Sequence, residues 1–249
     1  DPGVLSGVLE GHGDAVWGLA FNPAGDRLAS CSADGTVRIW DPRHDAGACL
    51  STYDAQSGEP GSGASPSPGR PPRRCPHPRL VPAEHGVPTS VTFSATEPGH
   101  AVVAFRTGAA VLYDVEAARP LLTLEARLGG GGGSQINQVV SHPSQPLSIT
   151  ANDDRGIRFL DNRTGKVVHS MVAHLDAVTC LAVDPNGVFL MSGSHDCSLR
   201  LWHLAHKTCV QELTAHRKKH EEAVHAVAFH PSRALSASAG ADALAKVFV

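Results

Sequence analysis

A chain of 249 residues with 41% hydrophobic and 18% charged residues has apolar surface for one large core or two modest ones, which excludes a marginal mini-protein and a chain disordered throughout. Its 21 Lys and Arg against 24 Asp and Glu leave a net charge of -3, so no basic field exists to hold nucleic acid or an anionic membrane. Aromatic residues make up only 5%, so the core must be built mainly from Val, Leu, Ile and Ala. No run approaches the ~20 apolar residues of a membrane span, and no charged-then-apolar signal pattern opens the chain. The cysteines, at 31, 49, 75, 180, 197 and 209, lack zinc-knuckle spacing, which points to a reduced intracellular protein. Asp1 in place of Met makes a fragment, a processed product or an isoform piece the expectation.

In chain order, the first unit opens at Gly11-His12-Gly13-Asp14-Ala15-Val16. Short strand-like runs follow at Trp17 to Phe21, Arg27 to Ser30 and Thr36 to Trp40, separated by the turn residues Asn22 to Asp26 and Asp34-Gly35. Ser30 to Trp40 is echoed by Ser192 to Trp202, and more loosely by Thr150 to Leu160 and Ser238 to Phe248. The opening is echoed by Ala173-His174-Leu175-Asp176-Ala177-Val178 and by Lys219-His220-Glu221-Glu222-Ala223-Val224. From His to turn Asp the distance is 22 in each of these three units, from hydroxyl residue to Asp it is four, and from Asp to the Trp position it is six. A further unit, Glu84 to Asp114, fits in outline, with His85, Thr107 and Tyr113 in the His, Asp and Trp positions. Lys166 to Val172 and Lys207 to Leu213 supply fourth strands.

A four-stranded repeat of about 42 to 47 residues is the signature of a WD-type β-propeller blade. The sequence therefore predicts an all-β WD-repeat propeller over 1–249, with five units near 4–50, 83–125, 135–172, 173–213 and 214–249. An incomplete arc of a larger ring is the alternative, and Val4 to Leu9 with Lys246 to Val249 are the ends that would complete one blade between them. The spacing places a disordered Pro-, Gly- and Ser-rich insertion at 55–82 and a flexible Gly-rich loop at 128–134.

In such blades a buried His, a Ser or Thr, the turn Asp and an indole form one hydrogen-bonded chain, which satisfies groups that are costly to bury unpaired. Full sets are expected at His12, Ser30, Asp34 and Trp40, and at His174, Ser192, Asp196 and Trp202. His220, Ser238 and Asp242 form the last set with Phe248 in place of the indole, while Thr150 and Asp154 remain of a set that lacks its His and has Leu160. Asp154 is therefore expected to matter less than Asp196.

The strings Val4 to Pro42, Gln135 to Asp154, Asp161 to Gly165, His169 to Gly187, Thr214 to His220 and Ser238 to Val249 resemble the carboxy-terminal WD-repeat region of the striatin family. The resemblance implies a non-enzymatic scaffold that links protein phosphatase 2A components with germinal-centre kinases, phocein and striatin-interacting proteins. It also implies a cytoplasmic location, with peripheral membrane attachment as the variant. Calmodulin binding, and the coiled coil that mediates self-association, belong in that family to an amino-terminal part not visible in this sequence.

Fifteen histidines invite a metal or catalytic reading, but the repeat and the turns account for most of them, and no catalytic, cofactor or metal residue is assigned. Zinc on Cys209, His216 and His220 is disfavoured by spacing, and Gly129 to Gly133 lacks the Gly-Lys-Ser/Thr of a phosphate loop. The alternatives to a striatin-like scaffold are a propeller enzyme with a central-channel site and an adaptor of another complex. Asp14, Asp176 and Glu222 recur two residues past the His, and Asp153 and His195 precede the turn Asp, so these five define the candidate partner-binding face.

Overall fold

The computed structural model describes residues 8–43, 48–54, 79–80, 85–124, 133–214, 216 and 223–249. They form an all-β array of five sheets, each running outward in chain order. The first sheet holds β1 (Val16–Phe21), β2 (Leu28–Ser32), β3 (Thr36–Asp41), β4 (Ala48–Asp54) and β5 (Arg79–Leu80). The second holds β6 (Pro88–Phe93), β7 (His100–Phe105), β8 (Ala110–Asp114) and β9 (Arg119–Leu124). The third holds β10 (Ile136–Ser141), β11 (Leu147–Asn152), β12 (Gly156–Asp161) and β13 (Val167–Val172). The fourth holds β14 (Val178–Val183), β15 (Phe189–Ser194), β16 (Leu199–His203) and β17 (Thr208–Leu213). The fifth has three strands among the described residues, β18 (Val224–Phe229), β19 (Ser236–Gly240) and β20 (Ala245–Phe248).

The first strands β1, β6, β10, β14 and β18 pack on one another in succession, so the sheets stand side by side like propeller blades. No comparable packing joins β18 back to β1 among the described residues. The molecule is a partial propeller whose core lies between blades. Ala29, Cys31, Val37 and Ile39 of the first blade face Val91 and Phe93 of the second, and Ile149, Ala151, Ile157 and Phe159 of the third face Val178 and Leu181 of the fourth.

Two irregularities recur in every blade. The pairing of the first two strands shifts register at Val16/Gly18, Pro88/Ser90, Ile136/Gln138, Val178/Cys180 and Val224/Ala226. The residue after the turn Asp or its equivalent is left-handed each time, at Gly35, Gly108, Arg155, Cys197 and Ala243.

Three sequence expectations need revision or fall away. The insertion 55–82 lies outside the described residues except for Arg79–Leu80, which pair in parallel with Tyr53 and Asp54 because the outer edge of β4 still has backbone groups to satisfy. Of the Gly-rich loop 128–134, residues 128–132 lie outside the described residues, and Gly133 is not a loose joint. A Cβ there would sit 2.4 Å from the Thr107 carbonyl oxygen, so glycine is required for the second and third blades to approach. The outer strand expected from Val4 lies outside the described residues up to residue 7, and Val8 and Leu9 are not in a strand. No helix among the described residues is long and apolar enough to cross a membrane.

Candidate functional site

The polar chain of the first blade starts at Asp34, whose carboxylate accepts from the Gly13 and Thr36 amides and the Thr36 hydroxyl and lies 3.1 Å from His12 Nδ1. An acceptor at Nδ1 fixes the proton there and leaves Nε2 to accept from Ser30 Oγ at 2.6 Å, while Ser30 Oγ accepts from Trp40 Nε1–H at 2.8 Å. The fourth blade repeats this at His174–Asp196 (3.2 Å), His174–Ser192 (2.7 Å) and Trp202–Ser192 (2.9 Å), with Ser198 in the place of Thr36. Burial raises the Asp34 carboxyl, but the donors around it outweigh burial and hold it at about 2. Asp196 is likewise held well below the carboxylate range against its burial by His174, Ser198 and the Leu175 amide. Burial lowers His12, opposed by its bond to Asp34. These groups use their hydrogen-bonding capacity on one another, so the chains tie the hairpins of a blade together.

The last blade departs from the sequence reading. His216, not His220, lies 2.8 Å from both Asp242 Oδ1 and Ser238 Oγ, and it is fully buried. His220 lies outside the described residues. The His-to-Asp distance here is 26 residues, because the connection into β18 is four residues longer than in the other two sets, and a rule of constant spacing selects a decoy histidine. The doublet Ala215-His216, matching Ala173-His174, was the signal available.

In the third blade Thr150 and Asp154 do not share a chain. With no histidine to bridge them, Thr150 donates to Asn152 Oδ1 at 2.8 Å, and Asp154 turns to the buried Arg158 guanidinium and the Gly156 amide. In the second blade Thr107 donates to the His85 carbonyl oxygen instead of to a ring, and the His85 ring packs on Phe105.

The candidate partner face is set by the backbone. Ser32 Oγ and Ser194 Oγ donate to the Asp14 and Asp176 carbonyl oxygens, and both carboxylates turn back to cap the next amide, at Ala15 and Ala177. Asp153 N–H donates to the Gln135 carbonyl and His195 N–H to the Ala177 carbonyl, which places both beside the loops that lead into first strands. Asp14, Asp153, Asp176 and His195 are thus exposed at the same end of their blades, while Glu222 lies outside the described residues. Leu175, 75% exposed beside Asp176, adds an apolar contact that the charge pattern alone did not select. No group of three or more metal-ligating side chains gathers among the described residues.

With this geometry in hand, the family pattern described as WD domain, G-beta repeat matches residues 3–41, 165–203 and 207–248. Human striatin-4, the zinedin of its family, is 70% identical over 249 residues, 100% of this chain and 30% of its own length. Bovine striatin-3 is 53% identical over 251 residues and mouse striatin 52%, each again across 100% of this chain. The chain spans about three-tenths of the length of these relatives.

Proposed function

Because the chain belongs to the striatin family of WD-repeat proteins, we propose that it is a protein–protein interaction scaffold that holds phosphatase 2A components together with germinal-centre kinases, phocein or striatin-interacting proteins. One observation carries this reading. Asp14, Asp153, Asp176 and His195 are exposed at one end of three blades, on loops whose backbone is pinned while their side chains remain accessible. The same-position pairs Asp14 with Asp176 and Asp153 with His195 make an acidic rim, which attracts basic or hydrogen-bond-donating partner surfaces. Rim charges of this kind act on association rate and specificity more than on fold stability. The buried His, Ser and Asp groups are spent on the fold, which supports binding over catalysis.

The test is affinity capture with the triple variant Asp14→Lys, Asp176→Lys and Glu222→Lys. Its melting temperature is expected to match the parent while capture of at least one of the named partner classes falls. Equal capture of every partner by a variant shown to be folded moves the interface to the sides or the opposite end.

A further inference from the structure

The third blade, flanked on both sides by four-stranded blades, has an outer edge unlike those of the first, second and fourth. In the first blade the edge is covered, because Arg79–Leu80 add to β4 in parallel at Tyr53 and Asp54. β9 carries Arg119 and Pro120, and β17 carries Glu212 in an ion pair with Arg200, residues that discourage further pairing at an edge. β13, with the sequence Val-Val-His-Ser-Met-Val, has no Pro, Lys, Arg, Asp or Glu, and no strand covers it among the described residues.

The backbone of this edge is set out for a further strand. Ala173 N–H donates to the Arg155 carbonyl, and in the same register Met171 faces Ile157 and His169 faces Phe159, so these residues turn their polar groups toward β12. Ser170 and Val172, which alternate with them, therefore present N–H and C=O to the open side. The register shift at Phe159/Leu160 ends this regular stretch. Met171 and Val172 stand where Tyr53 and Asp54 stand in the first blade, the two residues that receive Arg79–Leu80. The side chains differ from their counterparts as well. Val172 is 75% exposed at a position held by Asp54 in the first blade and Thr214 in the fourth. Leu175, also 75% exposed, follows His174 where Gly13 follows His12. Beyond them in the direction of β13 are the exposed carboxylates of Asp176 and Asp153 against the exposed guanidinium of Arg155.

We propose that the Ser170–Val172 edge receives an extended segment of a partner protein, which adds to β13 in parallel as Arg79–Leu80 add to β4. Backbone hydrogen bonds to Ser170 and Val172 hold the segment, and its side chains give the selectivity. A β-branched or aliphatic residue of the segment packs beside Val172, the cross-strand pairing that an exposed valine favours. A Lys or Arg follows it, because a parallel segment ends beside Leu175, Asp176 and Asp153. The inference goes beyond the partner reading above, since strand pairing carries it and the acidic loops set only its direction.

The experiment titrates the full chain against a labelled synthetic peptide of alternating valine and threonine that ends in two lysines, with fluorescence anisotropy and amide hydrogen exchange as readouts. Binding is expected to saturate and to slow exchange at Ser170 and Val172, while the β17 amides of Gln211 and Glu212 exchange as before. The same peptide N-methylated along its pairing edge is expected not to bind, and one ending in two glutamates to bind more weakly. Val172→Asp, which installs the residue of the first blade, is expected to keep the parent melting temperature and lose binding, and Leu175→Gly to weaken it. The exchange and N-methyl readouts need no variant, so they decide the matter if Val172→Asp unfolds. Absence of saturation, unchanged exchange at Ser170 and Val172, or equal binding of the N-methylated or glutamate-ended peptide overturns the proposal. Protection of Ser170 and Val172 that grows with chain concentration alone also overturns it, and assigns the edge to a second copy of this chain.

Discussion

At the scale of single residues, the buried polar chains decide stability. Replacing Asp196 by Ala strands the Leu175 and Ser198 amides and leaves His174 Nδ1 only Ser198 Oγ, at 3.0 Å, at a cost of about 1–3 kcal/mol in urea unfolding. The corrected assignment in the last blade gives a sharper comparison. His216→Ala is expected to cost a similar amount, since its ring is enclosed by Asp242 and Ser238, while His220→Ala leaves the unfolding midpoint in place. Equal losses for both would contradict the placement of His216. Acid should weaken the fold in two stages. His12 and Asp34 both bind fewer protons folded than unfolded, since both are shifted down from 6.5 and 3.8. The His12 share is therefore present above 6.5 and is lost as pH falls below it, and the Asp34 share is lost between 3.8 and about 2. In His12→Gln the first decline is expected to shrink, which a series of urea midpoints against pH will show. The first and fourth sets were readable in sequence because four residue types recur at fixed offsets. His216 was not readable from offsets, because a connection four residues longer changes the spacing while the contacts to Asp242 and Ser238 stay the same.

At the scale of the strand and turn, the repeat is enforced by backbone features that residue identity only partly reveals. The position after the turn Asp is left-handed in all five blades, yet glycine occupies it in only two. Arg155 is exposed there, so Arg155→Gly is expected to stabilise the third blade, by about 0.5–1 kcal/mol where relief of the backbone exceeds the added freedom of the unfolded chain. A destabilised variant in urea melts would mean that the Arg155 side chain holds the blade. Tight packing gives the opposite sign at Gly193, where an added Cβ would lie 2.6 Å from Val224 and 2.7 Å from the Cys180 sulfur. The first blade mirrors this, with the thiol on β2 at Cys31 and the glycine on β1 at Gly18, so one sulfur fills the same gap from either strand. Burial pushes the two thiols up to about 12 and about 11, which keeps them protonated packing groups. The third blade shows how an absent residue is replaced. The sequence expectation was that Asp154 matters less than Asp196, yet Asp154 neutralises a guanidinium that is only 7% exposed. Asp154→Ala is expected to cost about 1–3 kcal/mol, and Asp154→Ala with Arg158→Leu to recover most of it. Nothing in a pattern of His, Ser and Asp offsets marks Arg158 as that partner, since arginine stands at the same position in the first and fourth blades with other contacts.

For the whole molecule, the blade count and the outward order of strands were legible because each blade repeats its own hydrophobic alternation and turns. That the five described blades are part of a propeller was legible only as an alternative, because nothing local in Val16, Leu19 or Phe21 marks β1 as the first strand of the array. Stability resides between and within the blades, and the proposed function assigns binding to the end where Asp14, Asp153, Asp176 and His195 emerge. This separation is tested most directly by one paired measurement on neighbouring carboxylates, Asp176→Lys and Asp196→Ala, with thermal unfolding and partner capture read on the same preparations. Asp176→Lys is expected to melt with the parent and capture less, and Asp196→Ala to melt lower and capture as much per folded molecule. A fall in melting temperature confined to Asp176→Lys, or a loss of capture confined to folded Asp196→Ala, would contradict it.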